Sequence, residues 1–391
     1  MPGVRALSTL ETYRDVIEDR DYPTVREWRQ RTGGKVIGCF PVYGPVEIPY
    51  ALGMLPIGLF GGGNRVEIAN ADSRFQSFIC SIVKSTLELA FVGKLDVVDG
   101  LMFHSICDPA RNLSSVMERN FPERPTVYVH LPQNMTSPHA ATYLAAELRR
   151  VAAELGPVAG RTLTDADLAR SIDAYEVVRY LLRELYALRA LAPERISTGE
   201  LYTLARLVTL MDQAESATIL ATAFDEAKRH DARPKDRIRV VLVGSFCEQP
   251  PLELIESLVA AGCYIVDDDF LLGWRWARRE IALNGDPYLS LARAYVDESA
   301  HLSTKHDLRR PRAQALIESA RAHGADAVIF LGAKFCEPGL FDYALYRKAL
   351  DEQGIPHLFL EFEEKMWLYD RIQGEVETFV ESMLFAEAPV S

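Results

Sequence analysis

No Cys-x-x-Cys pair occurs among the six cysteines of this chain. Zinc ribbons, thioredoxin-type redox sites and the compact cysteine run of bacterial ferredoxins are therefore disfavoured. The sequence also lacks a GxxxxGK loop followed by Ser or Thr, so no phosphate-cradling NTPase turn is present. Its richest glycine run, Gly61-Gly62-Gly63-Asn64, lacks the GxGxxG spacing of a dinucleotide fingerprint and reads as a turn after a strand. Positive charge is in deficit: 43 Lys and Arg face 55 Asp and Glu, a net charge of -12. That balance argues against general nucleic-acid binding. No apolar run is long enough to cross a bilayer. Met1-Pro2-Gly3-Val4-Arg5 leads into a charged segment instead of a signal-peptide core. A cytoplasmic protein with neither a membrane nor a nucleic-acid partner is expected.

What is present is an alternation of short apolar runs and helical patterns. A chain of 391 residues exceeds one ordinary core, so two or three domains are expected. Residues 1–34 read as a helical lead-in, with a capping box at Ser8-Thr9-Leu10-Glu11. Residues 35–160 carry strands at Lys35 to Phe40, Met54 to Phe60, the run into Cys107, and Thr126 to Leu131. Helices stand between them, one over Phe75 to Ala90 with Cys80 near its start. In residues 161–235 the strand signal stops. Leu168, Ile172, Tyr175, Val178, Leu182 and Leu185 recur at helical spacing after Thr164-Asp165, with a division at Pro193. Residues 236–391 return to strands and helices, from Ile238 to a last helix near Arg371 to Leu384. The expected fold is α/β: two Rossmann-like, flavodoxin-like parallel-sheet domains with a helical insert between them.

Three cysteines close apolar runs or open helices: Phe78-Ile79-Cys80-Ser81, Leu101-Met102-Phe103-His104-Ser105-Ile106-Cys107-Asp108, and Leu331-Gly332-Ala333-Lys334-Phe335-Cys336-Glu337. The carboxyl end of a parallel strand is where ligands usually sit. Structural disulfides are not expected in a cytosolic chain. Spacing alone still favours buried thiols, which are common. Cys263 reads as core, Cys39 closes a strand, and Cys247 sits at a strand end with either role open. Asp267, Asp268 and Asp269 close a strand as well; capping the next turn is the commoner role of such acids, and a magnesium site the rarer one. His104 before a loop is more often structural than a proton donor.

Taken in order, several stretches resemble the 2-hydroxyacyl-CoA dehydratase and benzoyl-CoA reductase family over nearly the whole chain, from about Lys35 to Leu384. They are Gly38-Cys39-Phe40-Pro41, Pro45-Val46-Glu47-Ile48, Ala51-Leu52-Gly53-Met54-Leu55-Pro56, Cys80, Cys107-Asp108 with Arg111-Asn112, Val266-Asp267-Asp268-Asp269, Lys334-Phe335-Cys336-Glu337-Pro338 with Asp342-Tyr343, and Gly354-Ile355-Pro356-His357-Leu358. Within the family the chain looks most like the smaller cluster-carrying subunits, gamma or C, of the ATP-dependent reductase branch. Glu363-Glu364-Lys365-Met366-Trp367 and Glu375-Val376-Glu377-Thr378-Phe379 depart from the dehydratase pattern in that direction.

The resemblance implies a [4Fe-4S] cluster held by Cys80, Cys107 and Cys336, with one iron left open to water or substrate. It implies an acidic residue near the substrate at Glu47, where proton transfer would take place; the alternative role is stabilising the start of its own helix. It implies an iron–sulfur subunit that helps reduce benzoyl-CoA to a cyclic diene in anaerobic aromatic degradation, and hence an oxidoreductase. The partners implied are a sister cluster-carrying subunit of similar fold, ATP-hydrolysing activator subunits, ferredoxin acting through them, and an acyl-CoA substrate. The missing phosphate loop agrees with ATP hydrolysis in a separate subunit. Two alternatives stand beside this: a subunit of a radical 2-hydroxyacyl-CoA dehydratase, and an electron-relay or scaffold subunit whose sister chain alone binds substrate.

Overall fold

The computed structural model describes residues 10–41, 44–244, 249–269, 277–278, 280–298, 304–305, 307, 309, 311–363 and 366–386. Ser8 and Thr9 of the expected capping box, and Cys247, lie outside them. Two helices lead in, α1 (Glu11–Glu18) and α2 (Pro23–Thr32). The first sheet then takes β1 (Val36–Phe40), β2 (Leu55–Gly58), β3 (Gly100–His104) and β4 (Thr126–Val129). Between and after these strands run α3 (Glu47–Ala51), α4 (Ser81–Phe91), α5 (Asp108–Asn120) and α6 (Ala140–Ala159). Three helices follow without a strand: α7 (Asp165–Leu191), α8 (Thr198–Leu207) and α9 (Gln213–Arg229). The second sheet is built from β5 (Ile238–Gly244), β6 (Cys263–Asp268), β7 (Ala327–Ala333) and β8 (His357–Phe362). Its helices are α10 (Leu252–Ala260), α12 (Arg312–Ala322), α13 (Glu337–Gln353) and α14 (Asp370–Ala386), whereas α11 (Pro287–Arg293) packs into the hydrophobic cluster of the first sheet.

Both sheets are parallel throughout, in the orders β2-β1-β3-β4 and β6-β5-β7-β8. The expected α/β class with two Rossmann-like parallel sheets is what the chain adopts. Each order places the first strand of its unit beside the third, so the connections diverge at β1/β3 and again at β5/β7. Such switch points open a crevice at the carboxyl ends of the strands. Val36 to Phe40 is buried at every position, as strands covered by helices on both faces must be. Full burial of one such aliphatic side chain is worth about 1.5–3 kcal/mol. Pro41, with no N–H to donate, follows the last residue of β1. Gly332 in β7 has a packing reason, because a Cβ there would stand 2.7 Å from the Phe359 ring.

The long helix α7 starts on the capping box of Thr164 and Asp167 and ends at Leu191, just before Pro193. Its leucine stripe packs into the same hydrophobic cluster as β1 and β3, and Leu220 of α9 joins it. The second sheet has a cluster on each face. Two buried arginines tie α7 to both halves. Arg179 pairs with Glu47 of α3, and Arg189 with Asp268 of β6 at 2.8 Å. Among the described residues no helix is long and apolar enough to cross a membrane.

Two local expectations change. The helix expected from Phe75 begins only at Ser81, and Cys80 is its N-cap. Upstream, the buried Glu88 carboxylate accepts the backbone N–H groups of Ala69, Asn70 and Ala71 at 2.8–3.1 Å and ties that segment to α4. Asp267 and Asp268, read as the end of a strand, lie within β6 and are buried. Asp268 meets Arg189, and Asp267 meets Arg278 at 3.0 Å, so ion pairing accounts for both.

Candidate functional site

A cavity of about 680 Å³ opens where the two sheets present their carboxyl ends, and Cys80, Cys107 and Cys336 all line it. Cys107 is the third residue after β3 and Cys336 the third after β7, so the two occupy equivalent places in the two sheets. Each is the residue before a helix: Cys107 opens α5 and Cys336 opens α13, while Cys80 opens α4. Pro109 and Pro338 follow in the first turns of α5 and α13, where proline's missing N–H costs nothing.

Helix starts elsewhere are of two kinds. Thr164, Ser197, Asp212 and Asp286 each accept a capping hydrogen bond at the start of α7, α8, α9 and α11. The three helices facing the cavity begin on cysteine and have no side-chain cap. A good cap is worth about 1 kcal/mol, and these three helix ends do without it, as do those of α1, α2, α3, α6, α10 and α12. A thiol at such a position gains from the positive end of the helix dipole, which favours the thiolate. Two other cysteines are built differently. Cys39 and Cys263 are sealed in the two cores, and burial pushes both thiols up, Cys263 to about 12 and Cys39 further.

Aromatic and polar groups complete the wall. Phe78, Tyr143, Phe335 and Phe341 line the cavity, with Ser105, Arg111 and Tyr128 among the polar groups. Burial pushes the Tyr128 phenol up to about 12, against the opposing effect of Arg111, so it is a neutral donor at ordinary pH. Its hydroxyl oxygen is buried without a hydrogen-bond partner. Ser105 Oγ accepts from the Leu131 N–H at 2.9 Å and from Lys305 Nζ at 3.3 Å. Lys305 is buried, and desolvation alone pushes its ammonium down to about 8. Neither Tyr128 nor Lys305 carried a signal in the sequence, since a tyrosine within a strand and a lysine within a polar stretch are ordinary.

Glu47, expected near the substrate, does not line the cavity. It is fully buried, and Oε1 accepts from Arg179, which also holds Glu176 at 2.7 Å. The Glu47 carbonyl accepts from Ser171 Oγ at 2.7 Å. Burial disfavours the Arg179 charge, but Glu47 and Glu176 outweigh it and hold the guanidinium above its ordinary value. His104 is buried, and its Nε2 donates to the Pro41 carbonyl at 2.9 Å, which is the structural role. Among the described residues no three His, Cys, Asp or Glu side chains are drawn together as a ready-made metal site. The three cysteines share a cavity and not a closed coordination shell. The donor set is nevertheless soft: three sulfurs at helix starts suit iron–sulfur or another thiophilic group better than magnesium or calcium.

The family model for the 2-hydroxyglutaryl-CoA dehydratase D-component matches residues 41–383. The C-type subunit of the benzoyl-CoA reductase of Thauera aromatica is 36% identical, over 94% of this chain and 95% of its own. The (R)-phenyllactyl-CoA dehydratase beta subunit of Clostridium sporogenes is 28% identical, over 95% of this chain and 97% of its own. The lactoyl-CoA dehydratase beta subunit of Anaerotignum propionicum is also 28% identical, over 91% and 94%. With its cysteine cavity set between two parallel sheets, the chain belongs to the 2-hydroxyglutaryl-CoA dehydratase D-component family.

Proposed function

We propose that this chain is the iron–sulfur subunit of an ATP- and ferredoxin-dependent benzoyl-CoA reductase, and that Cys80, Cys107 and Cys336 hold its [4Fe-4S] cluster. The observation that carries the reading is the meeting of these three cysteines, far apart in sequence, on the wall of one cavity. The full-length likeness to a benzoyl-CoA reductase subunit supports the substrate. When bound, the cluster would supply electrons at low potential, as breaking ring aromaticity requires. The chain's own residues do the rest. The starts of α4, α5 and α13 stabilise thiolate charge, and Phe78, Phe335 and Phe341 give the cavity an apolar rim. Arg111 offers polar contacts to what enters. Glu47 is assigned a positioning role: its carboxylate holds Arg179, and through it α7, against α3. ATP hydrolysis and ferredoxin oxidation belong to activator subunits, and a sister subunit of similar fold stands opposite the cavity.

The dehydratase beta subunits among the relatives favour a second reading, a radical 2-hydroxyacyl-CoA dehydratase subunit. Electron stoichiometry separates the two. The complex assembled with its sister and activator subunits is given reduced ferredoxin, ATP and benzoyl-CoA. The reductase consumes electrons in step with cyclic dienoyl-CoA formed. Turnover of a 2-hydroxyacyl-CoA on a catalytic charge of electrons, with benzoyl-CoA untouched, would establish the dehydratase instead.

A further inference from the structure

Two non-glycine residues among those described have left-handed backbone, Tyr22 at φ 51° and Phe335 at φ 65°. L side chains avoid this region, and outside helix ends and turns it is left mostly to glycine. Tyr22 has a compensation, because it is 3% exposed and belongs to the large core cluster. Phe335 has none of that kind. It is 39% exposed and belongs to none of the three hydrophobic clusters.

The turn explains where the strain comes from. The Cys336 N–H donates to the Ala333 carbonyl at 3.0 Å, which makes Phe335 the third residue of a tight turn. A positive φ at that position ordinarily calls for glycine or asparagine. The Glu337 N–H donates to the Phe335 carbonyl at 3.1 Å, so the turn leads directly into α13. Beside the ring, the Lys334 ammonium stands 5.3 Å from its centroid and is itself tied to Glu363 at 2.6 Å. What the ring does have is a place on the wall of the cysteine cavity, next to Cys336. Strain that packing does not offset points to function.

We propose that Phe335 is a positioning residue that closes the Cys336 side of the cavity, its ring held over the thiol by a turn that would fold more easily with glycine. This role goes beyond the proposed function and holds for whatever the cavity receives. It separates two properties that travel together in a core aromatic. Removing a core ring lowers stability. Removing this one together with its Cβ should raise stability while exposing the sulfur.

The test uses the full chain, iron-free and reduced, as wild type, Phe335→Gly and Phe335→Ala. Alanine loses the ring but keeps the backbone strain; glycine loses both. The Gly variant should melt at or above wild type, and above the Ala variant by about 2 °C or more. Iodoacetamide should alkylate Cys336 several-fold faster in both variants than in wild type, read by mass spectrometry of the Cys336 peptide. Cys39 and Cys263, sealed in the two cores, should stay unlabelled in all three chains, which separates loss of the wall from loosening of the fold. Equal alkylation of Cys336 in wild type and both variants overturns the closing role. A Gly variant that melts below the Ala variant overturns the strained turn.

Discussion

In the first sheet the connection after β3 brings Cys107 to the cavity, and in the second the connection after β7 brings Cys336 there by the same number of residues. The two sheets share their strand order as well. They differ in what surrounds that common plan. The first adds a further cysteine, Cys80. Beside its first strand it also carries Glu47, buried against Arg179. The second places its buried acids in β6, against Arg189 and Arg278. The first half thus supplies two of the three thiols, and the second supplies one thiol and the strained turn that carries it. Helix α7 is pinned to each half by one buried arginine. Packing joins the halves as well: Tyr202 of α8 lies in a cluster of the second sheet and donates to the Pro250 carbonyl at 2.7 Å.

The comparison can be broken first at the thiols. Replacing Cys80, Cys107 or Cys336 by alanine should remove most of the about four irons expected for one cubane. Cys263→Ala should leave them in place. Iron assay of anaerobically purified protein reads this, and full retention in all three cavity variants would sink the cluster assignment.

Next come the two pins. Arg179→Met leaves the Glu47 carboxylate buried without its guanidinium, which should cost about 3–5 kcal/mol. Arg189→Met should cost less, because Asp268 keeps Tyr186 at 3.4 Å. Urea unfolding gives the magnitudes, and hydrogen exchange shows which half loosens. Loss of protection confined to the second sheet in Arg179→Met would contradict the assignment of that pin to the first half.

Glu47→Gln is a milder cut, because Arg179 retains Glu176. A loss of about 1–3 kcal/mol is expected, with turnover of the assembled complex within about tenfold of wild type. A fall of about a hundredfold or more at unchanged iron content would make Glu47 a proton-transfer group after all.

The last effect concerns Lys305, and its size depends on pH. The folded ammonium titrates near 8, below its ordinary 10.5, because burial disfavours the charge. Between those values the unfolded chain binds more protons than the folded one, so wild-type stability rises with pH there. Below about 8 the penalty is fully present. Lys305→Met should therefore be more stable than wild type at neutral pH, with the gap narrowing as pH climbs through that window. Parallel stability curves for the two chains would show that the ammonium is not desolvated.

Much of the plan was legible in order along the chain. The apolar runs at Val36 to Phe40, Leu101 to His104 and Ala327 to Ala333 are short, continuous and rich in Val, Ile, Leu and Phe, which marks buried parallel strands. Thr164-Asp165 announced the start of α7, where the fold adds a capping box between Thr164 and Asp167. The start of α4 was not legible. The apolar and polar spacing from Phe75 onward suits a helix, yet α4 begins only after Cys80. Arg179 gave no sign of belonging to Glu47, because the two are 132 positions apart and a helical arginine is ordinary.

The sequence by itself determined the strands, most helix positions and the identity of three cysteines at strand ends or helix starts. All of these are local, governed by side-chain period, capping chemistry and the missing N–H of proline. Tertiary structure alone decided that Cys80, Cys107 and Cys336 face one space, that Cys39 and Cys263 do not, and that Glu47 lies sealed behind it. It also decided that Phe335 stands in a left-handed conformation that glycine adopts more easily. The reason is physical. Which thiols meet depends on which strands pair and where the connections diverge, and strand pairing is a relation between distant segments that no local pattern contains.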